Sequence, residues 1–116
     1  MFTTWIEGRY VFQLFTKEIM KSISPKEVQE KLFNKEEFQL IDIREPYEFE
    51  DGAICSNNIP LDEMMDSIDE ISRSMQVVIY CRSGKRSASI IFMLEKHHQF
   101  KNLFNLEGGY TAYLDL

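Results

Sequence analysis

The chain contains 116 residues, of which 44% are hydrophobic and 13% aromatic, and it carries a formal net charge of -6 at pH 7. This length suits one domain with one hydrophobic core, and the apolar content argues against a disordered chain. The negative charge argues against a general binder of nucleic acid or of an anionic membrane surface.

The two cysteines are too few for a disulfide framework, and neither a CxxC pair nor a Cys/His cluster occurs. We therefore expect no metal and no other cofactor. The sequence has no apolar run of membrane-spanning length, and its N-terminus lacks the basic and apolar regions of a secretory signal. The expected location is the cytoplasm.

Residues 1–21 are expected to be an extension in front of a domain that spans residues 22–116. The extension mixes aromatic and charged residues without a clean period. The segment Ile6–Arg9 matches a protease site often engineered into expression vectors, which makes vector-derived sequence one explanation. A natural extension that covers an exposed apolar face is the other.

From Ser22 the pattern becomes regular. Ser24 followed by Pro25 is typical of a helix start, because Ser caps the first turn and Pro favours the first helical position. The patterns that follow predict a helix to Asn34, a strand over 38–43, a helical turn over 47–50, a brief extended stretch over 54–59 and an amphipathic helix over 61–71.

The second half continues the alternation of strands and helices. It predicts a strand over 76–80, a helix over 87–98, a strand over 103–106 and a final helical turn that ends at Leu114. Alternating strands and helices indicate an α/β fold in which a mostly parallel sheet is covered by helices on both faces. Ligands bind at the carboxyl ends of the strands in such sheets, and Cys81 lies at one of these ends.

The segment that follows the strand at 76–80 carries the most informative chemistry. It reads Cys81-Arg82-Ser83-Gly84-Lys85-Arg86-Ser87, and we call it the cysteine loop. The N–H groups and dipole of a helix N-terminus, together with three cations, lower the pKa of a thiol and make it a nucleophile. Gly84 allows the loop amides to converge, and Ser87 is the expected N-cap of the helix. We predict that Cys81 is catalytic and that residues 82–87 bind a small anion.

Asp42, Arg44 and Cys55 are secondary candidates outside the loop. Asp42 is expected to fix a loop by binding backbone amides or an arginine, and the functional alternative is that it orients the loop cations. Arg44 is expected to pair with Glu48 or Glu50, or to line the rim of a pocket. Cys55 is either a plain, partly buried cysteine or a thiol that resolves a persulfide or disulfide.

Four segments in this order resemble the single-domain rhodanese family of sulfurtransferases. They are Leu40–Phe49, Asn58–Leu61, Cys81–Ser87 and Asn105–Tyr110, and the resemblance covers residues 22–116. The chain has Gly52-Ala53-Ile54 where the family has Gly-His-Ile, whose histidine is generally structural. The resemblance implies a three-layer fold with a mostly parallel five-stranded sheet, and a cysteine that carries sulfane sulfur as a persulfide.

The loop and the resemblance together predict a sulfurtransferase of the thiosulfate:cyanide type. Cys81 would take sulfane sulfur from thiosulfate or from a persulfide donor and pass it to a thiophilic acceptor. The expected partners are a small anionic sulfur donor and, as an alternative, a protein that donates or accepts sulfur.

Two other functions remain open from the sequence. Cysteine phosphatases and arsenate reductases of the same fold have an arginine at the sixth position after the cysteine, whereas this chain has Arg86 at the fifth position and Ser87 at the sixth. The shorter loop favours a single sulfur atom over a phosphoryl group, and no general acid is placed for a leaving group. The other alternative is a non-catalytic regulatory module, which the retained Cys81 disfavours.

Overall fold

The computed structural model describes residues 20–116, so most of the expected extension over residues 1–21 lies outside it. Four strands form one parallel sheet in the order β1-β4-β3-β2. In chain order the elements are β1 (Ser22–Ile23), α1 (Pro25–Phe33), β2 (Gln39–Asp42), α2 (Pro46–Glu50), two 3₁₀ helices (Leu61–Asp66 and Ile68–Glu70), β3 (Val77–Tyr80), α3 (Lys85–His98), β4 (Leu103–Leu106) and α4 (Gly109–Leu114). No helix within residues 20–116 is long and apolar enough to span a membrane.

The predicted parallel α/β architecture is confirmed, but within residues 20–116 the sheet has four strands instead of the expected five. The extended stretch predicted over 54–59 pairs with β2 through a single bridge between Asp42 and Asn58 and is not one of the strands. The Asp42 amide donates to the Asn57 carbonyl and the Ile59 amide donates to the Asp42 carbonyl, each at 2.9 Å. The Leu61 amide also donates to the Ile43 carbonyl at 3.0 Å, but Leu61 already begins the first 3₁₀ helix, so that the contacts do not extend into a regular strand. The sheet of the described residues therefore has four strands.

The predicted start of α1 is confirmed by its hydrogen bonds. The Ser24 hydroxyl accepts from the Glu27 amide at 3.1 Å, and the Glu27 carboxylate accepts from the Ser24 amide at 3.1 Å. This reciprocal capping box satisfies two backbone donors that the first turn would otherwise leave unpaired.

The predicted amphipathic helix over 61–71 is wrong in its helix type. Two 3₁₀ helices occupy this segment, and Ser67 separates them with φ -115°. The apolar face itself is present, because Met64 is fully buried and Leu61 and Ile68 pack against the same core cluster. Intervals of three residues suit the 3₁₀ helix, which places positions i and i+3 above one another.

The two faces of the sheet have separate apolar clusters. Along β3, Val77 and Ile79 belong to the cluster that α3 and the 3₁₀ helices cover, and Cys81 joins this cluster. Val78 and Tyr80 belong to the opposite cluster, against α1 and α4. Because successive side chains of a strand point to opposite faces, Tyr80 and Cys81 lie on opposite sides of the sheet. Burial of each such aliphatic side chain stabilises the fold by about 1.5–3 kcal/mol.

Candidate active site

The cysteine loop connects the carboxyl end of β3 to the first turn of α3, as the sequence predicts. The helix begins at Lys85, two residues earlier than expected, and its N-cap is Gly84 with φ 98°. The prediction that Ser87 is the N-cap is therefore wrong, because Ser87 lies inside the first turn and is fully buried there. A positive φ of this size is a conformation that glycine adopts without steric cost. Gly84 thus provides the turn that aims the following amides back at Cys81.

Two amides and one hydroxyl surround the sulfur of Cys81. The Gly84 amide lies 3.1 Å from Sγ, and the amide and the hydroxyl of Ser87 each lie 3.4 Å from it. Burial alone raises the pKa of the Cys81 thiol. The hydrogen bonds from the Ser87 hydroxyl and from the amides of Ser87, Gly84 and Ser83 outweigh this effect, so that the pKa of Cys81 is lowered. The geometry suits a buried thiolate held by neutral donors.

Main-chain contacts from α4 fix the start of the loop. The Tyr110 amide donates to the Cys81 carbonyl at 2.8 Å, and the Thr111 amide donates to the Arg82 carbonyl at 3.0 Å. The approach requires glycine at position 109, because a Cβ there would lie 2.5 Å from each of these two carbonyl oxygens. The first turn of α4 therefore anchors the cysteine loop.

The three cations of the loop have different surroundings. Arg82 and Lys85 are exposed. Arg86 pairs with Glu48 of α2, with its NH1 nitrogen 3.2 Å from Oε1. Burial alone raises the pKa of Glu48, but the hydrogen bond and charge of Arg86 and the amide of Glu45 hold that pKa below its usual range. Glu48 is a contact that the sequence reasoning did not assign to the loop, since it lies 38 residues away along the chain.

Asp42 and Arg44 form a buried pair rather than part of the loop. The Arg44 NH2 nitrogen lies 2.7 Å from Asp42 Oδ2, and the Arg44 amide donates to Asp42 Oδ1 at 2.8 Å. This is the loop-fixing interpretation of Asp42, and the predicted pairing of Arg44 with Glu48 or Glu50 is wrong. The Tyr80 hydroxyl also donates to Asp42 Oδ2 at 2.8 Å. The Asp42 carboxylate is fully buried, and the Arg44 guanidinium supplies the partner that a buried charge requires.

Cys55 lies beside Tyr80, with its Sγ 3.9 Å from the Tyr80 hydroxyl. It packs against the cluster on the opposite side of the sheet from Cys81. Burial raises the pKa of the Cys55 thiol. These surroundings favour a plain, partly buried cysteine over a thiol that reacts with Cys81.

A recess of about 430 Å³ adjoins the loop between α2 and α4. It combines cationic, acidic and aromatic side chains, and Arg44 does line it, as expected. Its walls are Arg44, Tyr47, Glu48, Asp51, Gly52, Arg82, Tyr110, Thr111 and Leu114. Within residues 20–116 no group of three or more His, Cys, Asp or Glu side chains is arranged to hold a metal ion.

The sequence model of the Rhodanese-like domain matches residues 24–116. The chain belongs to this family. It is 31% identical over 96 residues to a sulfurtransferase of Allochromatium vinosum, a match that covers 82% of this chain and 89% of the relative. It is 33% identical over 95 residues to YtwF of Bacillus subtilis, which is provisionally named a sulfurtransferase, covering 81% of this chain and 90% of YtwF.

Solved structures agree with this assignment. A rhodanese-like domain protein of Staphylococcus aureus is 32% identical and superposes with a TM-score of 0.73, covering 81% of this chain and 91% of that one. The human single-domain sulfurtransferase TSTD1 is 21% identical with a TM-score of 0.69, over 81% of this chain and 95% of that one, and shares the fold. The named relatives support a sulfurtransferase as the general class of enzyme.

Proposed function

We propose that this domain transfers sulfane sulfur through a persulfide on Cys81. The observation that carries the proposal is the set of donors around the Cys81 sulfur, from the Gly84 amide at 3.1 Å and the Ser87 amide and hydroxyl at 3.4 Å. These groups stabilise a negative charge on sulfur without an adjacent general base. We place the domain at residues 22–116, since β1 begins at Ser22 and pairs with β4.

The proposed reaction has two displacements on sulfur. The Cys81 thiolate attacks the outer sulfur of thiosulfate, a new S–S bond forms, and sulfite leaves with the electron pair of the S–S bond that breaks. A thiophilic acceptor such as cyanide or a thiolate then attacks the outer sulfur of the persulfide. This step releases thiocyanate or a new persulfide and regenerates the Cys81 thiolate, so that no further reductant is needed.

The loop length supports sulfur over phosphate as the transferred group. Arg86 is the fifth residue after Cys81, and it already has a carboxylate partner in Glu48 at 3.2 Å. A phosphoryl group needs donors for three oxygens and an acid for the leaving group. The donors around Cys81 instead converge on the sulfur atom itself.

Arg82, Lys85 and Arg86 are proposed to attract the anionic donor. Arg82 lies both in the loop and on the wall of the recess, which Tyr47 and Tyr110 also line. The recess, at about 430 Å³, is larger than a thiosulfate ion. Its mixture of charged and aromatic side chains suits an organic persulfide or the side chain of a protein sulfur carrier. A cytoplasmic sulfur relay is the setting that we propose.

The test is the measurement of intact mass before and after incubation with thiosulfate. We expect a gain of one sulfur atom, its removal by cyanide with formation of thiocyanate, and no gain in Cys81→Ser. Cys55→Ser is the matched control and should gain sulfur as the wild type does. The absence of an adduct, or hydrolysis of an aryl phosphate in its place, would refute the proposal.

A further inference from the structure

Asn105 is a polar residue of β4 that contacts the loop from the neighbouring strand. In the parallel register it lies opposite Ile79 of β3, two residues before Cys81. Its Oδ1 accepts from the Ser87 hydroxyl at 2.5 Å, and its Nδ2 donates to the Gly84 carbonyl at 3.1 Å. Asn105 therefore binds the same two residues that donate to the Cys81 sulfur.

These contacts close a ring of hydrogen bonds through four residues. The Cys81 thiol donates to the Ser87 hydroxyl, that hydroxyl donates to Asn105, the Asn105 amide donates to the Gly84 carbonyl, and the Gly84 amide donates to the sulfur. The direction around the ring is determined by Gly84, because a carbonyl oxygen can only accept. The Asn105 nitrogen must face it, so that the Asn105 oxygen faces Ser87. Hydrogen bonds that run in one direction strengthen each other.

We propose that Asn105 is a positioning residue that holds Ser87 and Gly84 around the Cys81 sulfur. The proposal deepens the proposed function, since it rests on Cys81 being the nucleophile. Asn105 has no hydrogen bond to the sulfur itself among the described residues, so it acts through its two partners.

The ring also defines how the hydrogen bonds around Cys81 change when its thiol loses a proton. When the thiol proton leaves to solvent, the Ser87 hydroxyl turns its hydrogen from Asn105 to the thiolate. Asn105 still holds the Gly84 carbonyl, and the Gly84 amide therefore stays on the sulfur. No electron is transferred, and the only proton lost is that of the thiol.

The test is a pH titration of thiolate absorbance in the Cys55→Ser background, where Cys81 is the single cysteine of the chain. In Asn105→Asp an oxygen replaces the donor to the Gly84 carbonyl, and a negative charge is added near the sulfur. We expect the pKa of Cys81 to rise by about one unit, which means roughly tenfold less thiolate at a pH below the pKa. Asn105→Ala removes both tethers and should raise the pKa by less.

Asn102→Ala is the matched control. The Asn102 side chain also donates to two backbone carbonyls, those of Ser72 at 2.7 Å and Met75 at 2.6 Å, but it lies before β4 and away from the loop. We expect it to lower the melting temperature without moving the pKa of Cys81. In sulfur-transfer assays Asn105→Ala should lower kcat and leave the KM for thiosulfate unchanged.

Two results would overturn the proposal. An unchanged pKa in Asn105→Ala, which removes both tethers without adding a charge, would show that the ring does not act on the sulfur. A lower pKa in Asn105→Ala would show that Asn105 only competes with the sulfur for the Ser87 hydrogen. The titration uses no sulfur donor, so its outcome is independent of whether thiosulfate is a substrate.

Discussion

Glu48 restrains one of the cations that we propose to bind the sulfur donor, and its neutralisation should tighten the binding of an anion. The two Glu48 oxygens lie 3.2 and 3.4 Å from the Arg86 guanidinium nitrogens. An anion that binds Arg86 must share this cation with the carboxylate or displace it. Glu48→Gln removes the charge but keeps the oxygen that accepts from the Glu45 amide at 3.0 Å, so that the cap of α2 is retained.

The exposure of the pair determines the size of the effect. The Arg86 side chain is 35% exposed and that of Glu48 is 12% exposed, so that solvent partly screens their attraction. Exposed ion pairs contribute about 0.2–1 kcal/mol, and the two contacts of this pair place it near the upper end of that range. About 1 kcal/mol corresponds to about a fivefold change in affinity. We therefore expect the KM for thiosulfate to fall about fivefold in Glu48→Gln.

The assay is the initial rate of thiocyanate formation at several thiosulfate concentrations, with cyanide and ionic strength held constant. Glu50→Gln is the matched control, because it removes the same charge from the exposed end of the same helix. Equal falls of KM in both variants would show that only the overall charge matters. An unchanged KM in Glu48→Gln would refute the role of Arg86 in binding the donor.

Three further predictions concern the buried groups. Asp42→Ala leaves the Arg44 guanidinium buried without its carboxylate and should lower the free energy of unfolding in urea by about 3–5 kcal/mol. Lys31→Ala is the control: it breaks the surface pair with Glu36 and should lower the same free energy by less than about 1 kcal/mol. Equal losses in the two variants would contradict the role of the buried pair. In Cys55→Ser the remaining thiol should titrate at a lower pH than an ordinary cysteine, and in Cys81→Ser it should titrate at a higher pH, because hydrogen bonds lower the pKa of Cys81 and burial raises that of Cys55. The reverse order would refute this assignment. Mild oxidation should leave both cysteines without an internal disulfide, since they belong to opposite faces of the sheet, and intact mass under non-reducing conditions would detect the bond if it formed.

Local sequence signals predicted the position of Cys81 well but not the partners of its loop. The strand and helix that flank Cys81 follow from short apolar runs, and the start of α1 follows from Ser24 and Pro25, because these signals act within a few residues. Asn105 and Glu48 lie 24 and 33 positions from Cys81 in the chain, and only the pairing of β3 with β4 and the packing of α2 bring them to the loop. The sequence held one indication of a role for Asn105, since it is the polar residue within the otherwise apolar strand at 103–106.

The errors come from choices that local sequence patterns do not decide. The choice of Asp42 over Glu48 as the partner of Arg44 depends on which carboxylate folding removes from water, and no spacing rule gives this. The extended stretch over 54–59 makes a single bridge to β2 instead of a strand, because a 3₁₀ helix begins at Leu61, and the position of this stretch relative to β2 was not visible in the sequence. Residues 61–71 have the predicted apolar face but form 3₁₀ helices instead of an α-helix. Apolar residues at intervals of three and four do not distinguish these two helix types.

The sulfur of Cys81 and the donor that approaches it respond differently to dissolved salt. The groups on the sulfur are peptide amides and a hydroxyl within a buried loop, whereas Arg82 and Lys85 are exposed charges. Mobile ions screen exposed charges over a Debye length of about 8 Å at physiological ionic strength, but they do not enter the space between an amide and a buried sulfur. Ionic strength therefore controls how often a donor anion is captured, while the readiness of Cys81 to react with it stays the same.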